Sequence, residues 1–262
     1  MHIRPLTLQS AASCCQFLEG CHDYSPANAG LTYALGQFVA RLGACPVDCP
    51  ALSDPAMREL EQKMPPLCGR AEAEMEKSWA EALLARPILH RQTLRLFWYH
   101  QHYLNLVEDE LDLMAEHTDY PERLVFLGSG ALPLTAIMAA EVLPECQVVC
   151  VDLDQQANAL ARALFERLDV PIEVVTAAAQ DVAMSPDDLP IMASLLSTKH
   201  DMFGHFSRMG VRRFILRDAE GPYRLLYQPA PIPDPSEYVA LARTDLSHDR
   251  INTSILYQQP ED

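Results

Sequence analysis

The run Leu124-Val-Phe-Leu-Gly-Ser-Gly-Ala-Leu-Pro-Leu-Thr135, followed about twenty residues on by Val148-Val-Cys-Val-Asp-Leu-Asp154, constrains the fold more than any other part of this chain. Four apolar residues lead into Gly128-Ser129-Gly130, an apolar-periodic segment runs through Glu141, and a second apolar run ends on Asp152. The order strand, tight glycine turn, helix, strand is the opening unit of a nucleotide-type α/β sheet. Glycines at 128 and 130 let backbone approach a ligand where a Cβ would block it. Asp152, ending the next strand, is placed to accept bonds from two ribose hydroxyls. A dinucleotide fingerprint would have a third glycine near Pro133, so a pyrophosphate fits this turn poorly. S-adenosylmethionine (SAM), with a ribose and no phosphate, fits it better.

At 262 residues the chain can bury a full core as one large domain or two modest ones. A net charge of −16 argues against a nucleic-acid groove, which needs clustered Lys and Arg. Small molecules, cationic ones included, are the expected partners. Met1-His-Ile-Arg-Pro5 lacks an apolar core and a small-residue cleavage site, and no run of about 18 apolar residues occurs. These features predict a soluble cytoplasmic protein without membrane association. The eight cysteines lack paired Cys-x-x-Cys spacing. Cys45 and Cys49 have a zinc-compatible spacing but no second pair nearby, so reduced thiols and no metal site are expected.

Residues 1–119 read as a helical N-terminal domain, a bundle of about four helices. Segments 31–42, 54–64, 71–84 and 94–114 carry helical periodicity, punctuated by Pro46, Pro50, Pro55, Pro65, Pro66 and Pro87. Residues 120–262 read as a Rossmann-like SAM-binding domain. Strands are expected at 123–127, 147–152, 172–176, 190–195, 212–217 and 223–228, with helices at 133–142, 155–168 and 199–209. Asp154 is a candidate cap for the second of these helices, and Gly210 for the end of the third. The tail after Pro229 reads as irregular, with one apolar run at Ile255-Leu-Tyr257.

Four stretches, in order, resemble the nicotianamine synthase family and its shorter bacterial relatives that make opine metallophores of the staphylopine and pseudopaline type. They are Leu67-Cys-Gly-Arg-Ala-Glu-Ala-Glu-Met-Glu76, Tyr99-His-Gln-His-Tyr103-Leu-Asn-Leu, Gly128-Ser-Gly-Ala-Leu-Pro-Leu-Thr135, and Leu216-Arg-Asp-Ala-Glu-Gly221 through Leu226-Tyr227. The resemblance implies an α/β fold with a class I SAM-dependent sheet under a helical domain. It also implies transfer of the 3-amino-3-carboxypropyl group of SAM to an amine, with release of 5′-methylthioadenosine (MTA), and no catalytic metal. Which carbon of the sulfonium reacts is then a matter of geometry. Three positions depart from the family pattern: Ala178 stands where the family commonly has aspartate, Arg70 replaces a glutamate, and a Tyr-Tyr pair becomes Tyr99-His100. Adenine would then be recognised by backbone around Ala177 and Ala178, or by Asp181. The short chain favours the opine branch, with one transfer to a separate amino acid, histidine in the known examples, and a pathway dehydrogenase as partner. Association into a homodimer is left open.

An attacking amine must be neutral, whereas a free α-amino group is mostly protonated at pH 7. A carboxylate can take that proton and a phenol can orient the amine. Glu76 and Tyr103 match the family residues assigned to this work. The plainer alternative puts Glu76 on a solvated helix face with Glu72, Glu74 and Glu81. Tyr99 and Tyr103, four apart, share a face, and packing alone would explain them. His100 is a candidate substrate contact and His102 is incidental. Glu108-Asp109-Glu110 reads most simply as a solvated charge run, although Glu110 aligns with a family glutamate. Arg217, at a strand end, would clamp a carboxylate of the substrate or of SAM's methionyl end, or else pair with Asp218 or Glu220. Gly128, Ser129, Gly130, Pro133, Asp152, Ala177, Ala178 and Arg217 complete the expected SAM contacts, while Tyr99, His100 and Arg217 are the expected substrate contacts. Three alternatives stay open: condensation of SAM units with one another, ordinary methyl transfer, and a catalytically silent module that binds SAM or a metal chelate.

Overall fold

In the computed structural model, residues 5–245 and 250–260 are described. The start of the chain, Met1 to Arg4, on which the absence of a leader was read, lies outside them. Four helices open the fold: α1 (Leu8–Glu19), α2 (Ala29–Gly43), α3 (Pro55–Leu84) and α4 (His100–His117). There follow β1 (Arg123–Leu127), α5 (Leu134–Val142), β2 (Gln147–Asp152), α6 (Gln155–Leu168), β3 (Ile172–Thr176), β4 (Leu189–Met192), α7 (Lys199–Met209), β5 (Arg213–Asp218), β6 (Val239–Arg243) and β7 (Thr253–Gln258). The strands form one sheet in the order β3-β2-β1-β4-β5-β7-β6. The first five strands are parallel, and β7 runs antiparallel between β5 and β6. This is the nucleotide-type α/β sheet that the glycine turn predicts, in the arrangement that the family resemblance implies. The order reverses beside β1, so the crevice at the carboxyl ends of β1, β2 and β4 is the natural ligand site.

Strand alternation sorts the core into two layers. Leu124, Phe126, Val148, Cys150, Ile191 and Ile215 face a layer shared with α1 to α6. Val125, Leu127, Val149, Val151, Met192 and Phe214 face the other, closed by Met202, Phe203 and Phe206 of α7. Asp154 caps α6 through the Gln156 and Ala157 amides at 2.8 and 3.1 Å, and Gly210 ends α7 with φ +71°. Among the described residues no helix is long and apolar enough to cross a membrane.

The sequence reading needs correction in several places. The expected breaks at Pro65 and Pro66 do not occur, and 54–64 and 71–84 are parts of one 30-residue helix. Met57, Met64, Cys68, Ala71 and Met75 bury one continuous face along it, which outweighs the two missing amide donors. α1 was not expected, because its buried face is Ala11, Cys14, Cys15 and Leu18, where cysteines do the work of aliphatics. α4 begins at His100 and not at Leu94. A short 3-10 turn at Arg91–Leu96 ends in an extended Phe97 that breaks the periodic run. Residues 223–228 form no strand, since Pro222 opens another 3-10 turn, Gly221–Leu225. The tail expected to be irregular instead supplies the last two strands of the sheet, β6 and β7.

The deepest tie between helices and sheet is ionic. Arg217 of β5 grips Glu110 of α4 through Nε and Nη2, each at 2.8 Å, and Ser254 of β7 donates to the same carboxylate at 2.7 Å. Arg217 is 6 % exposed and Glu110 2 %, so neither charge has water as a fallback. Glu110 is therefore not part of a solvated run. Its neighbour Asp109 is more accessible and pairs with Arg250. Glu110→Ala, which strands a buried guanidinium, is expected to cost about 3–5 kcal/mol. That should lower the melting temperature by roughly 10 °C in thermal unfolding followed by circular dichroism. Asp109→Ala is expected to cost about 1 kcal/mol or less.

Candidate active site

Between the helices and the carboxyl ends of the strands lies a cavity of about 340 Å³. Its floor is the turn after β1. Gly128 and Gly130 adopt φ of +79° and +71°, the left-handed region that a side chain disfavours. The Gly128 and Ser129 amides donate back to the Val151 carbonyl at 2.8 and 3.1 Å, which folds the turn onto the end of β2. Asp152 closes that end: Gly130 N–H donates to Oδ2 and Asp154 N–H to Oδ1, each at 2.9 Å. Two amides thus fix the carboxylate, and each oxygen keeps a lone pair for a ligand hydroxyl. The residues present fit a nucleoside in this crevice.

The roof comes from α3 and α4. Glu72 and Glu76, one turn apart, both line the cavity. Tyr103 Oη donates to Glu76 Oε1 at 2.7 Å, and the Leu132 and Ala131 amides also bond the carboxylate. Gly130 is what admits it, because a Cβ built there would lie 2.3 Å from Glu76 Oε2. Burial pushes Glu76 up to about 7, against the downward pull of Tyr103 and the two amides. Burial also pushes Glu72 up to about 8, although a bond from Tyr227 opposes it. Tyr227 Oη donates to Glu72 Oε1 at 2.8 Å and lies 3.3 Å from the Tyr99 hydroxyl. Burial raises Tyr103 well above its ordinary value, so it stays a neutral donor.

The expected residues separate into two groups. Glu76, Tyr103, Gly128, Ser129, Gly130, Pro133, Asp152, Ala177, Ala178 and Arg217 all line the cavity. Tyr99 sits behind the lining, stacked on Trp98, and His100 lies at the start of α4 outside the lining. Asp181 is exposed and also outside it. Arg217 does form an ion pair, but with Glu110, while Glu220 pairs with Arg243 and Asp218 binds the Ala219 and Ala230 amides. The sequence reading missed Glu72, Tyr227 and Asn252 as cavity residues. For Glu72 a signal existed, since it falls on the stripe of Met64, Cys68, Ala71 and Met75 that α3 buries. It also missed Lys199, a buried amine that burial lowers to about 8 and whose Nζ donates to the Ser194 carbonyl at 2.7 Å. Among the described residues no cluster of three or more His, Cys, Asp or Glu could hold a metal ion.

Comparison with known proteins gives a consistent family. The family model described as nicotianamine synthase protein matches residues 28–261. Nicotianamine synthase 2 of Arabidopsis thaliana is 33 % identical over 126 residues, covering 46 % of this chain and 38 % of that protein. Probable nicotianamine synthase 2 of Hordeum vulgare is 28 % identical over 239 residues, covering 83 % of this chain and 69 % of that protein. The chain thus spans well under half of the Arabidopsis relative's length and about two thirds of the barley one's. Among solved structures, MtNAS in complex with MTA and tNA superposes with a TM-score of 0.82 at 23 % identity, covering 97 % of this chain and 98 % of that one. The E81Q mutant of MtNAS in complex with S-adenosylmethionine gives 0.81, also at 23 % identity. At that identity the likeness establishes the shared fold.

The two raised carboxyls carry a stability consequence. A carboxyl whose folded-state value lies above its unfolded one, 4.5 here, favours the folded state at low pH. That contribution is lost as pH rises toward about 7 for Glu76 and about 8 for Glu72. The unliganded protein should therefore lose stability between about pH 5 and 8, by on the order of 1 kcal/mol per pH unit for each carboxyl. Urea titrations at stepped pH should show this slope, and the double variant Glu72→Gln, Glu76→Gln should flatten it.

Proposed function

The chain belongs to the nicotianamine synthase family, and from that premise we propose that it transfers the 3-amino-3-carboxypropyl group of SAM to the amine of an amino acid, histidine, releasing MTA. The observation that carries the reading is the Tyr103–Glu76 bond, held against Gly130 at the rim of a nucleoside-type turn. SAM supplies an activated carbon on a sulfonium that leaves as a neutral thioether. The protein's part is to deliver a neutral nitrogen to that carbon and to keep water away.

Glu76 accepts the proton that the incoming ammonium must lose. A carboxyl near 7 suits that task at neutral pH, because it is partly ionised when free and holds the proton once it has it. Tyr103, kept neutral by burial, orients the carboxylate through its hydroxyl. Asp152 receives the ribose, with Gly128, Ser129, Gly130 and Pro133 as floor and Ala177 and Ala178 beside the base. Arg217 stands at the far wall, where its guanidinium edge is shared with Glu110. The division of labour follows the chain: residues 1–119 cover the site with acid–base groups and residues 120–262 hold the nucleoside. The complexes of MtNAS with S-adenosylmethionine and with MTA support the choice of co-substrate.

In this reading the product is a nicotianamine-like precursor of an opine metallophore, finished by a pathway dehydrogenase. The family's name favours a second reading, condensation of SAM units with one another. One experiment separates them. The protein is incubated with SAM alone, with SAM and L-histidine, and with SAM and D-histidine, and the products are weighed by mass spectrometry. MTA together with a histidine adduct is expected. An adduct from SAM alone would favour condensation, and S-adenosylhomocysteine with a methylated acceptor would overturn aminocarboxypropyl transfer altogether. Glu76→Gln is expected to lower kcat by about 100-fold or more while leaving SAM affinity, measured by calorimetry, within about threefold.

A further inference from the structure

Two carboxyls face the cavity, and one general base needs only one of them. Glu72 is 6 % exposed, lines the cavity beside Glu76, and is fixed by a hydrogen-bonded chain from Tyr99 through Tyr227. Residues one turn apart on a helix place their Cβ atoms about 5–6 Å from each other, so the two side chains reach the same part of the cavity. The cations that line this cavity are already taken. Lys77 pairs with Asp154 at 2.6 Å and Glu74 at 3.1 Å, and Arg217 pairs with Glu110. The two roof carboxyls therefore have hydrogen bonds but no protein counter-charge among the described residues. Burying two such groups together is costly unless a positive ligand completes the arrangement.

We propose that Glu72 is a specificity-determining residue that binds a second basic nitrogen of the acceptor, while Glu76 receives the attacking amine. The acceptor class is then an amino acid with a second basic nitrogen within about 5–6 Å of its α-amine, the span set by one helical turn. Histidine meets this requirement with its imidazole, and an amino acid with a neutral side chain of similar length does not. Tyr227, which also lines the cavity, is a positioning residue for Glu72 through its hydroxyl. The inference rests on the transfer reading for its kinetics, but not for its binding.

The test compares L-histidine with L-glutamine, which matches it in length and has one basic nitrogen, choosing D-histidine and D-glutamine if the D form is the substrate. Wild type, Glu72→Gln and Tyr227→Phe are compared by calorimetric binding and by steady-state rates with SAM. Glu72→Gln keeps an oxygen for Tyr227, so the fold and SAM affinity are expected to be unchanged. It should weaken histidine binding and raise its KM by about 10- to 100-fold, the effect of losing one charge-assisted hydrogen bond. Its glutamine binding should not move. Tyr227→Phe should give a smaller loss in the same direction. Equal binding of the two acceptors by wild type, or an equal loss for both in Glu72→Gln, would overturn the proposal. If wild type turns over neither acceptor, the transfer reading fails by itself, and the binding comparison still decides the role of Glu72.

Discussion

A carboxylate from the helical half of the chain enters a turn of the sheet because the residue at 130 has no side chain. Glu76 Oε2 occupies space that a Cβ on Gly130 would approach to 2.3 Å. The same glycine, held at φ +71°, donates its amide to Asp152. One residue thus ties the Asp152 carboxylate of the sheet to the Glu76 carboxylate of the roof. The usual reason for glycine in such turns is close approach of a ligand. Here the close approach is made first by the protein itself. The turn therefore fixes the positions of the Glu76 and Asp152 carboxylates together.

Charge bookkeeping around the cavity divides into satisfied and unsatisfied groups. Arg217 and Glu110 neutralise each other with matched geometry and a third donor in Ser254. That pair stitches α4 to β5 and β7, so its work is to fix the roof on the sheet. Glu72 and Glu76 have only neutral phenol and amide donors, and both are pushed upward toward neutrality. A fold selected for stability alone would give such carboxyls a cation or replace them with apolar side chains. Buried groups pushed away from their ordinary values in a cleft are candidates for a functional site.

The sheet was legible in the sequence because parallel strands leave continuous apolar runs, and β1, β2 and β3 lie where those runs are. The edge was not legible. β6 carries mostly exposed side chains and follows a Pro-rich stretch, while the apolar run of β7, Ile255-Leu-Tyr257, is only three residues long and stands isolated in a polar tail. Prolines at 65 and 66 suggested a break that tertiary burial overrode. Of the cavity lining, Glu76, Tyr103 and Asp152 were expected from motif and position. Glu72 was hidden by composition: the four glutamates of residues 72–81 suggest a wet face, yet Glu72 and Glu76 point inward while Glu81 is exposed. The partner of Arg217 was hidden for another reason. Glu110 is 107 residues away in the chain, and no local pattern predicts a contact across the cap and the sheet.

A sheet of this kind holds a nucleoside in many contexts, so the sheet by itself does not choose a reaction. What distinguishes this cavity is the roof. A sulfonium and an ammonium are both cations, and bringing them together in a closed space is opposed by their own repulsion. In the proposed transfer, two carboxyls overhead reduce that repulsion, and Glu76 reduces it further by removing the ammonium's proton before the nitrogen attacks. The two reacting atoms, nitrogen and sulfur, then carry a single positive charge between them. The transfer moves that charge from sulfur to nitrogen without creating a new one. On this argument the acidic character of the roof is a requirement of the chemistry, and the high proton affinity of its carboxyls is the means by which the folded protein tolerates them before substrate arrives.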